Sequence, residues 1–295
     1  MGRVRTRLQL GSAPAEHTPL DDDVADRIAL AADILAGRRF AVLTGAGIST
    51  DSGIPDYRSP GSPPRTPMTL EMFLSSADFR RHYWARNHLG WRHMDAAIPN
   101  RAHLALTELQ QRGWMSRVLT QNVDMLHTKA GTRGVIELHG CYGRVRCLNC
   151  DWRISRHRLA GQLEEINTEF ARRVSGRGAI EVAPDADATL SDTSDFMMID
   201  CPNCGGILKP DIVYFGETVT KDVVDEAYSV VDEADALMVV GSSLTVMSGL
   251  RFARRAHRAG KPLIIVNRGV TRADEIATLK IDHEAGFVLP ALATF

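Results

Sequence analysis

Two cysteine pairs, Cys147-Leu148-Asn149-Cys150 and Cys201-Pro202-Asn203-Cys204, stand fifty residues apart and constrain the chain more than any other feature. Each pair sets two thiols on one tight turn, and four thiolates can surround a single tetrahedral zinc ion. A shell of four protein ligands is closed to water, which makes this metal structural and not catalytic. The chain between the pairs must leave and return, and a metal that closes so long a loop offsets much of its ordering entropy. A redox reading needs one such pair at a helix start and fits two pairs poorly. The chain has five cysteines in all, an odd number that argues against a disulfide framework. Free or metal-bound thiols indicate a reducing compartment, and a cytoplasmic location is the expectation.

Around the cysteine segment the sequence has a different rhythm. Asp21, Asp22 and Asp23 favour a helix start, and Val24, Ile28, Ala31 and Leu35 follow at helical spacing up to Gly37. Short apolar runs then recur at Phe40-Ala41-Val42-Leu43, Arg117-Val118-Leu119-Thr120, Ala236-Leu237-Met238-Val239-Val240 and Pro262-Leu263-Ile264-Ile265-Val266. Each ends in small or polar residues, and helical stretches separate them. Continuous apolar strands alternating with helices predict an α/β fold, a Rossmann-like parallel sheet with helices on both faces. Ligands of such sheets bind at the carboxyl ends of the strands, where the polar clusters fall. The expected division is a flexible leader over 1–20, a first sheet segment over 21–140, a small zinc-binding lobe over 141–208, and a second sheet segment over 209–295. The lobe is short of apolar residues for a core of its own. Its turn-rich stretch from Ser175 to Asp195 reads as loop, and residues 151–200 hold ten acids against six arginines.

The 35 basic and 36 acidic residues leave a net charge of −1, which excludes wholesale phosphate neutralisation along a nucleic acid. No apolar run is long enough to span a bilayer as a helix. The leader carries Arg3, Arg5 and Arg7 against Glu16 and reads as disordered, a transit peptide being the less favoured alternative.

The first strand runs into Thr44-Gly45-Ala46-Gly47-Ile48-Ser49-Thr50-Asp51-Ser52-Gly53-Ile54-Pro55-Asp56-Tyr57-Arg58. Glycines after a strand let backbone N–H groups approach a pyrophosphate. The dinucleotide fingerprint is incomplete, because Thr50 stands where its third glycine belongs. The whole stretch resembles the signature of the sirtuins, NAD-dependent protein deacylases. Further sirtuin-like motifs follow in order: Thr120-Gln121-Asn122-Val123-Asp124, His139-Gly140, the cysteine pairs, Lys209-Pro210-Asp211-Ile212-Val213-Tyr214-Phe215-Gly216-Glu217, Gly241-Ser242-Ser243-Leu244 and Val266-Asn267. Tyr57, Tyr83-Trp84-Ala85-Arg86-Asn87 and Ser248-Gly249, where other branches often carry proline, resemble the class II branch.

The resemblance implies NAD as co-substrate, one structural zinc, acyl-lysine proteins or peptides as partners, and nicotinamide and O-acyl-ADP-ribose as products. In sirtuins the acyl oxygen attacks the ribose anomeric carbon as nicotinamide leaves, and a histidine then acts as base for a ribose hydroxyl. His139 takes that role by its motif, and an imidazole has a suitable pKa for it. Asn122 is expected to orient the ribose and Asp124 the nicotinamide carboxamide. Either residue could also serve as a helix cap. Cofactor contacts are expected from Gly45, Ala46, Gly47, Ser49, Asp56, Tyr57, Arg58 and Gln121. At the adenosine and phosphate end they are expected from Gly241, Ser242, Ser243, Asn267, Arg268, Gly269 and Ala285. Phe215, Gly216, Glu217, Leu244 and Val246 are expected to offer strand edges to an extended peptide. Tyr83 and Arg86, three apart on a helix, match the spacing that grips an acyl carboxylate in succinyl-selecting sirtuins, although both could simply pack on the helix surface. Two other functions stay open at this stage, a mono-ADP-ribosyltransferase on the same scaffold and an NAD-binding regulatory module with negligible turnover.

Overall fold

The computed structural model describes residues 22–56, 68–175 and 192–295. The expectations for residues 1–20, for Tyr57 and Arg58, and for most of the turn-rich stretch lie outside the described residues. In chain order the described strands are β1 (Phe40–Thr44), β2 (Met115–Thr120), β3 (Ile136–Glu137), β4 (Gly140–Cys147), β5 (Arg153–Ser155), β6 (Leu208–Ile212), β7 (Ala236–Val240), β8 (Leu263–Val266) and β9 (Leu279–Ile281). The helices are α1 (Asp22–Leu35), α2 (Leu70–Ser75), α3 (Ala77–Ala96), α4 (Arg101–Gln111), α5 (Leu126–Lys129), α6 (Arg156–Ile166), α7 (Thr168–Ser175), α8 (Lys221–Glu233), α9 (Met247–Arg258) and α10 (Ala285–Leu292). They fall into two compact units.

The sheet unit comprises the described residues of 22–56, 98–139 and 219–295. Its six strands run in the order β3-β2-β1-β7-β8-β9, all paired in parallel. Along β1 every side chain is buried, yet alternate residues serve opposite faces. Phe40 and Val42 join Val118, Met238 and Ile264 in a cluster with α1, α4 and α10. Ala41 and Leu43 join Leu119, Val239 and Ile265 in a second cluster with α8 and α9. Period-two alternation between two apolar faces is why these strands read as unbroken apolar runs. The expected helix after residue 21 forms with Val24, Ile28, Ala31 and Leu35 as its buried side. The edge strands β3 and β9 span two and three residues, too short to register as runs. Strand order reverses between β1 and β7, and a crevice at such a switch point is where ligands of these sheets bind.

The cysteine-bearing unit comprises the described residues of 68–97 and 140–218. A three-stranded antiparallel sheet, β5-β4-β6, packs with α6. Two expectations change here. The unit includes α2 and α3, which the sequence reading left with the first sheet segment, and it extends to 218. It also has a core, contrary to the expected shortage of apolar residues, because those two helices supply Phe73, Tyr83, Trp84 and Trp91. The rings of Phe73 and Tyr83 meet edge to face at 5.4 Å, and Tyr83 meets Tyr214 at 5.6 Å.

A polar site at the strand ends and a four-cysteine centre

The four cysteine sulfurs lie within 4.8 Å of one another. Sγ–Sγ separations are 3.6 Å for Cys147–Cys204 and 3.7 Å for Cys150–Cys201. Zinc–sulfur bonds of about 2.3 Å in a tetrahedron place sulfurs about 3.8 Å apart, so the donors fit zinc in number, softness and spacing. The knuckles are held by the backbone, with Cys147 N–H on Trp152 O at 2.9 Å, Leu148 N–H on Ile207 O at 2.9 Å and Cys201 N–H on Gly206 O at 2.8 Å. Asn149 N–H also points at Cys147 Sγ, 3.3 Å away.

In the sheet unit, the residues after β1, β2 and β7 form one polar network. Asn122 Nδ2 donates to Gly45 O and Ser49 Oγ, both at 3.1 Å. Ser49 Oγ donates to Asp124 Oδ2 at 2.7 Å, and the other Asp124 oxygen accepts Leu126 N–H at 2.9 Å. Burial raises the pKa of this carboxyl above the usual range, and its hydrogen bonds oppose the rise. Asp124 therefore builds an Asx turn just ahead of α5, whose N-cap is Met125.

His139 is fixed at both ring nitrogens. Nδ1 lies 2.8 Å from Gln121 O, an acceptor only, so Nδ1 carries the proton and Nε2 the lone pair. Nε2 lies 2.8 Å from Ser248 Oγ, which must then be the donor. Burial lowers the His139 pKa, and the Gln121 carbonyl partly offsets that. His103 and His127 are buried and held neutral by desolvation, His103 at about 4. Their rings stack edge to face at 4.9 Å, and His127 Nε2 meets Thr44 Oγ1 at 2.9 Å.

A model of the Sir2 family, described by the name SIR2, matches residues 45–248. The chain belongs to the Sir2 family. It is similar to NAD-dependent protein deacetylase 1 of Mycobacterium avium (strain 104), at 57% identity over 88% of this chain and 92% of that one. It is 44% identical to the Homo sapiens NAD-dependent protein lipoamidase sirtuin-4, mitochondrial, over 88% of this chain and 83% of that protein. A solved Sir2–p53 peptide–NAD+ complex superposes with a TM-score of 0.71 at 32% identity, covering 87% of this chain and 93% of that one.

Within this Sir2 fold several expected site residues turn out to be engaged by the protein itself. Gly45 N–H donates to Val240 O and Gly47 N–H to Gly241 O, so both donors already have partners within the protein. The glycines are required instead by contact between the loops after β1 and β7. A Cβ on Gly45 would stand 2.7 Å from that of Ser242, and one on Gly241, at φ +61°, would stand 2.3 Å from Ile48 N. Ser242 Oγ donates to Gln121 Oε1 at 2.7 Å, and Ser243 Oγ meets Thr245 Oγ1 at 3.0 Å. After β8, Asn267 Nδ2 donates to Arg268 O at 2.7 Å, Arg268 pairs with Glu284 at 3.0 Å, and Gly269 N–H donates to Asp282 at 2.8 Å. Ala285 opens α10, Ala46 is half-buried in the turn after β1, and Asp56 is half-buried at the end of that segment.

The peptide edges are less simple than the motifs suggest. Phe215 already spends its main chain in a parallel bridge, with its N–H on Met68 O and its carbonyl accepting from Leu70, both at 3.3 Å. Gly216 follows in a turn at φ +83°, closed by Glu217 N–H on Tyr214 O at 2.9 Å, and is not a strand edge. Glu217 turns inward, 2.8 Å from the fully buried Lys209 ammonium and 2.6 Å from Tyr214 N. Leu244 is buried at φ +54°, a left-handed backbone and not a strand. Val246 is the N-cap of α9, its carbonyl accepting from Leu250 at 3.2 Å. Tyr83 is buried with its hydroxyl 3.2 Å from that of Tyr142, and Arg86 lies 3.1 Å from His82 Nε2, so the two share no partner in these contacts. Sequence reasoning missed Ser248 and Gly249 as parts of the site. Their replacement of a proline was the available signal.

Proposed function

We infer that this chain is an NAD-dependent protein-lysine deacylase that releases nicotinamide and O-acyl-ADP-ribose. The observation that carries the reading is the tautomer of His139, whose Nε2 lone pair is set by Gln121 O to accept a proton. Bound NAD supplies an electrophilic anomeric carbon with nicotinamide as its leaving group. Asn122, Ser49 and Asp124 form a preorganised polar cluster beside β2, suited to orient the ribose and the carboxamide. His139, kept neutral by burial, accepts the ribose hydroxyl proton at Nε2. Cys147, Cys150, Cys201 and Cys204 would hold zinc, whose part is to close the chain between the pairs.

For the acyl group we propose an acidic or bulky chain in addition to, or in place of, acetyl. Support comes from the lipoamidase relative. Four thiols grouped for a metal and a fifth, Cys141, outside that group support a reducing, cytoplasmic setting. A panel of acyl-lysine peptides tests the function. The expected result is peptide- and NAD-dependent nicotinamide release, fastest with an acidic or bulky acyl group. Acetyl-lysine turned over far faster than the rest would overturn the acyl preference, and NAD consumed with its label retained on protein would overturn deacylation.

A further inference from the structure

Ser248 is the second residue of α9, and its hydroxyl is free of the helix end, because Val246 provides the N-cap without a side-chain bond. It meets His139 Nε2 at 2.8 Å, the nitrogen the deacylase reading assigns to proton acceptance. The neighbouring Gly249 leaves room for the Gln121 side chain, whose Nε2 would lie 2.7 Å from a Cβ placed there. Gln121 in turn is held by Ser242 Oγ at its amide oxygen and holds His139 Nδ1 by its carbonyl. Three segments, after β2, after β7 and at the start of α9, therefore close around one imidazole. Ser248 and Gly249 are its α9 side.

We propose that Ser248 is a positioning residue for His139: its hydroxyl holds the ring through Nε2 and yields that nitrogen to the ribose hydroxyl when the base acts. The inference rests on the deacylase reading. In the transfer, the ribose O–H bond breaks, an Nε2–H bond forms, and the electron pair left on the ribose oxygen attacks the acyl carbon. A hydroxyl can accept as well as donate, so the Ser248 contact survives as a partner for the protonated ring. With only one anchor left, at Gln121 O, the ring would turn about that bond, and small misplacements of a base are costly.

Two variants, Ser248→Ala and Ser248→Thr, test this in the zinc-loaded full chain by two readouts. Ring positioning affects only the step after nicotinamide departure. In S248A, deacylation should fall roughly tenfold or more, while exchange of labelled nicotinamide into NAD persists. S248T, which keeps the hydroxyl, should deacylate near the parent rate. In the ligand-free protein, the 15N resonance of His139 Nε2 should move in S248A towards that of an unbonded pyridine-type nitrogen and stay in S248T. Exchange and deacylation falling in parallel would overturn the proposal, as would an unmoved resonance. A parent protein inert towards every acyl peptide would instead overturn the deacylase reading, and the resonance would still decide the contact.

Discussion

In the sheet unit, β1 and β7 bury every side chain, and apolar clusters cover both faces. In the cysteine-bearing unit the fully buried side chains include Arg156, Lys209 and Asn87 beside the aromatic core. Among the described residues Arg156 has no carboxylate within bonding distance; it lies 5.5 and 5.3 Å from the rings of Trp84 and Trp91 and donates to Asn87 Oδ1 at 3.3 Å. Burial lowers its pKa to about 10, still high enough to keep it charged at neutral pH. Lys209 has its own counter-ion, Glu217. Buried charge adds less to stability than apolar packing of the same volume but penalises wrong arrangements heavily. The sheet unit is thus stabilised by area removed from water, whereas the other relies on its aromatic core and on the zinc its four cysteines would hold, with buried charge restricting the arrangement.

Metal removal should separate the two most sharply. Structural zinc contributes on the order of 10 kcal/mol or more to small sites. Chelation, or Cys201→Ser, should therefore abolish amide protection along β4 and β6 while β1 and β7 keep theirs. Equal loss in both units would break the comparison. Truncation of the sheet unit's core is next. Phe252→Ala should cost about 3–5 kcal/mol, read by denaturant melts, with one zinc per chain retained. In the cysteine unit, Glu217→Gln leaves the Lys209 charge buried and unpaired, and removing one partner of such a pair costs about 3–5 kcal/mol. Part of that is discounted because Glu217 keeps 13% exposure. Pairing it with Lys209→Met should recover most of the loss.

Acid should have a milder effect. Burial holds His103 at about 4 and His127 well below its usual value in the sheet unit, and His88 at about 3 in the other. Each is depressed, so the unfolded chain binds the proton first, and stability is lost as pH falls from about 6.5. Each group contributes a slope of up to about 1.4 kcal/mol per pH unit. Burial also lowers His139 in the sheet unit and His82 in the other, so both units should soften down to pH 4, and His103→Gln should flatten the profile of the sheet unit.

The sheet was legible because its central strands are buried on both sides and need unbroken apolar sequence. The four-cysteine centre was legible because ligand spacing is local. What the sequence concealed depends on contacts distant along the chain. Phe73, Trp84 and Trp91 carry no mark of which unit they will fill. Nothing local shows that Phe215 is already paired to 68–70, or that Gly45 packs against Ser242. His139 was legible by its motif, whereas its partner Ser248 stands 109 positions away.

The central claim is that His139 is the base of an NAD-dependent deacylase. His139→Ala loses the bonds to Gln121 O and Ser248 Oγ and should cost about 1–3 kcal/mol of stability, read by a denaturant melt before activities are compared. The direct measurement is calorimetric NAD binding by this variant alongside deacylation of an acyl-lysine peptide. The account predicts that NAD affinity is kept and deacylation falls by about two orders of magnitude or more. Deacylation near the parent rate, with NAD bound equally well, would contradict it.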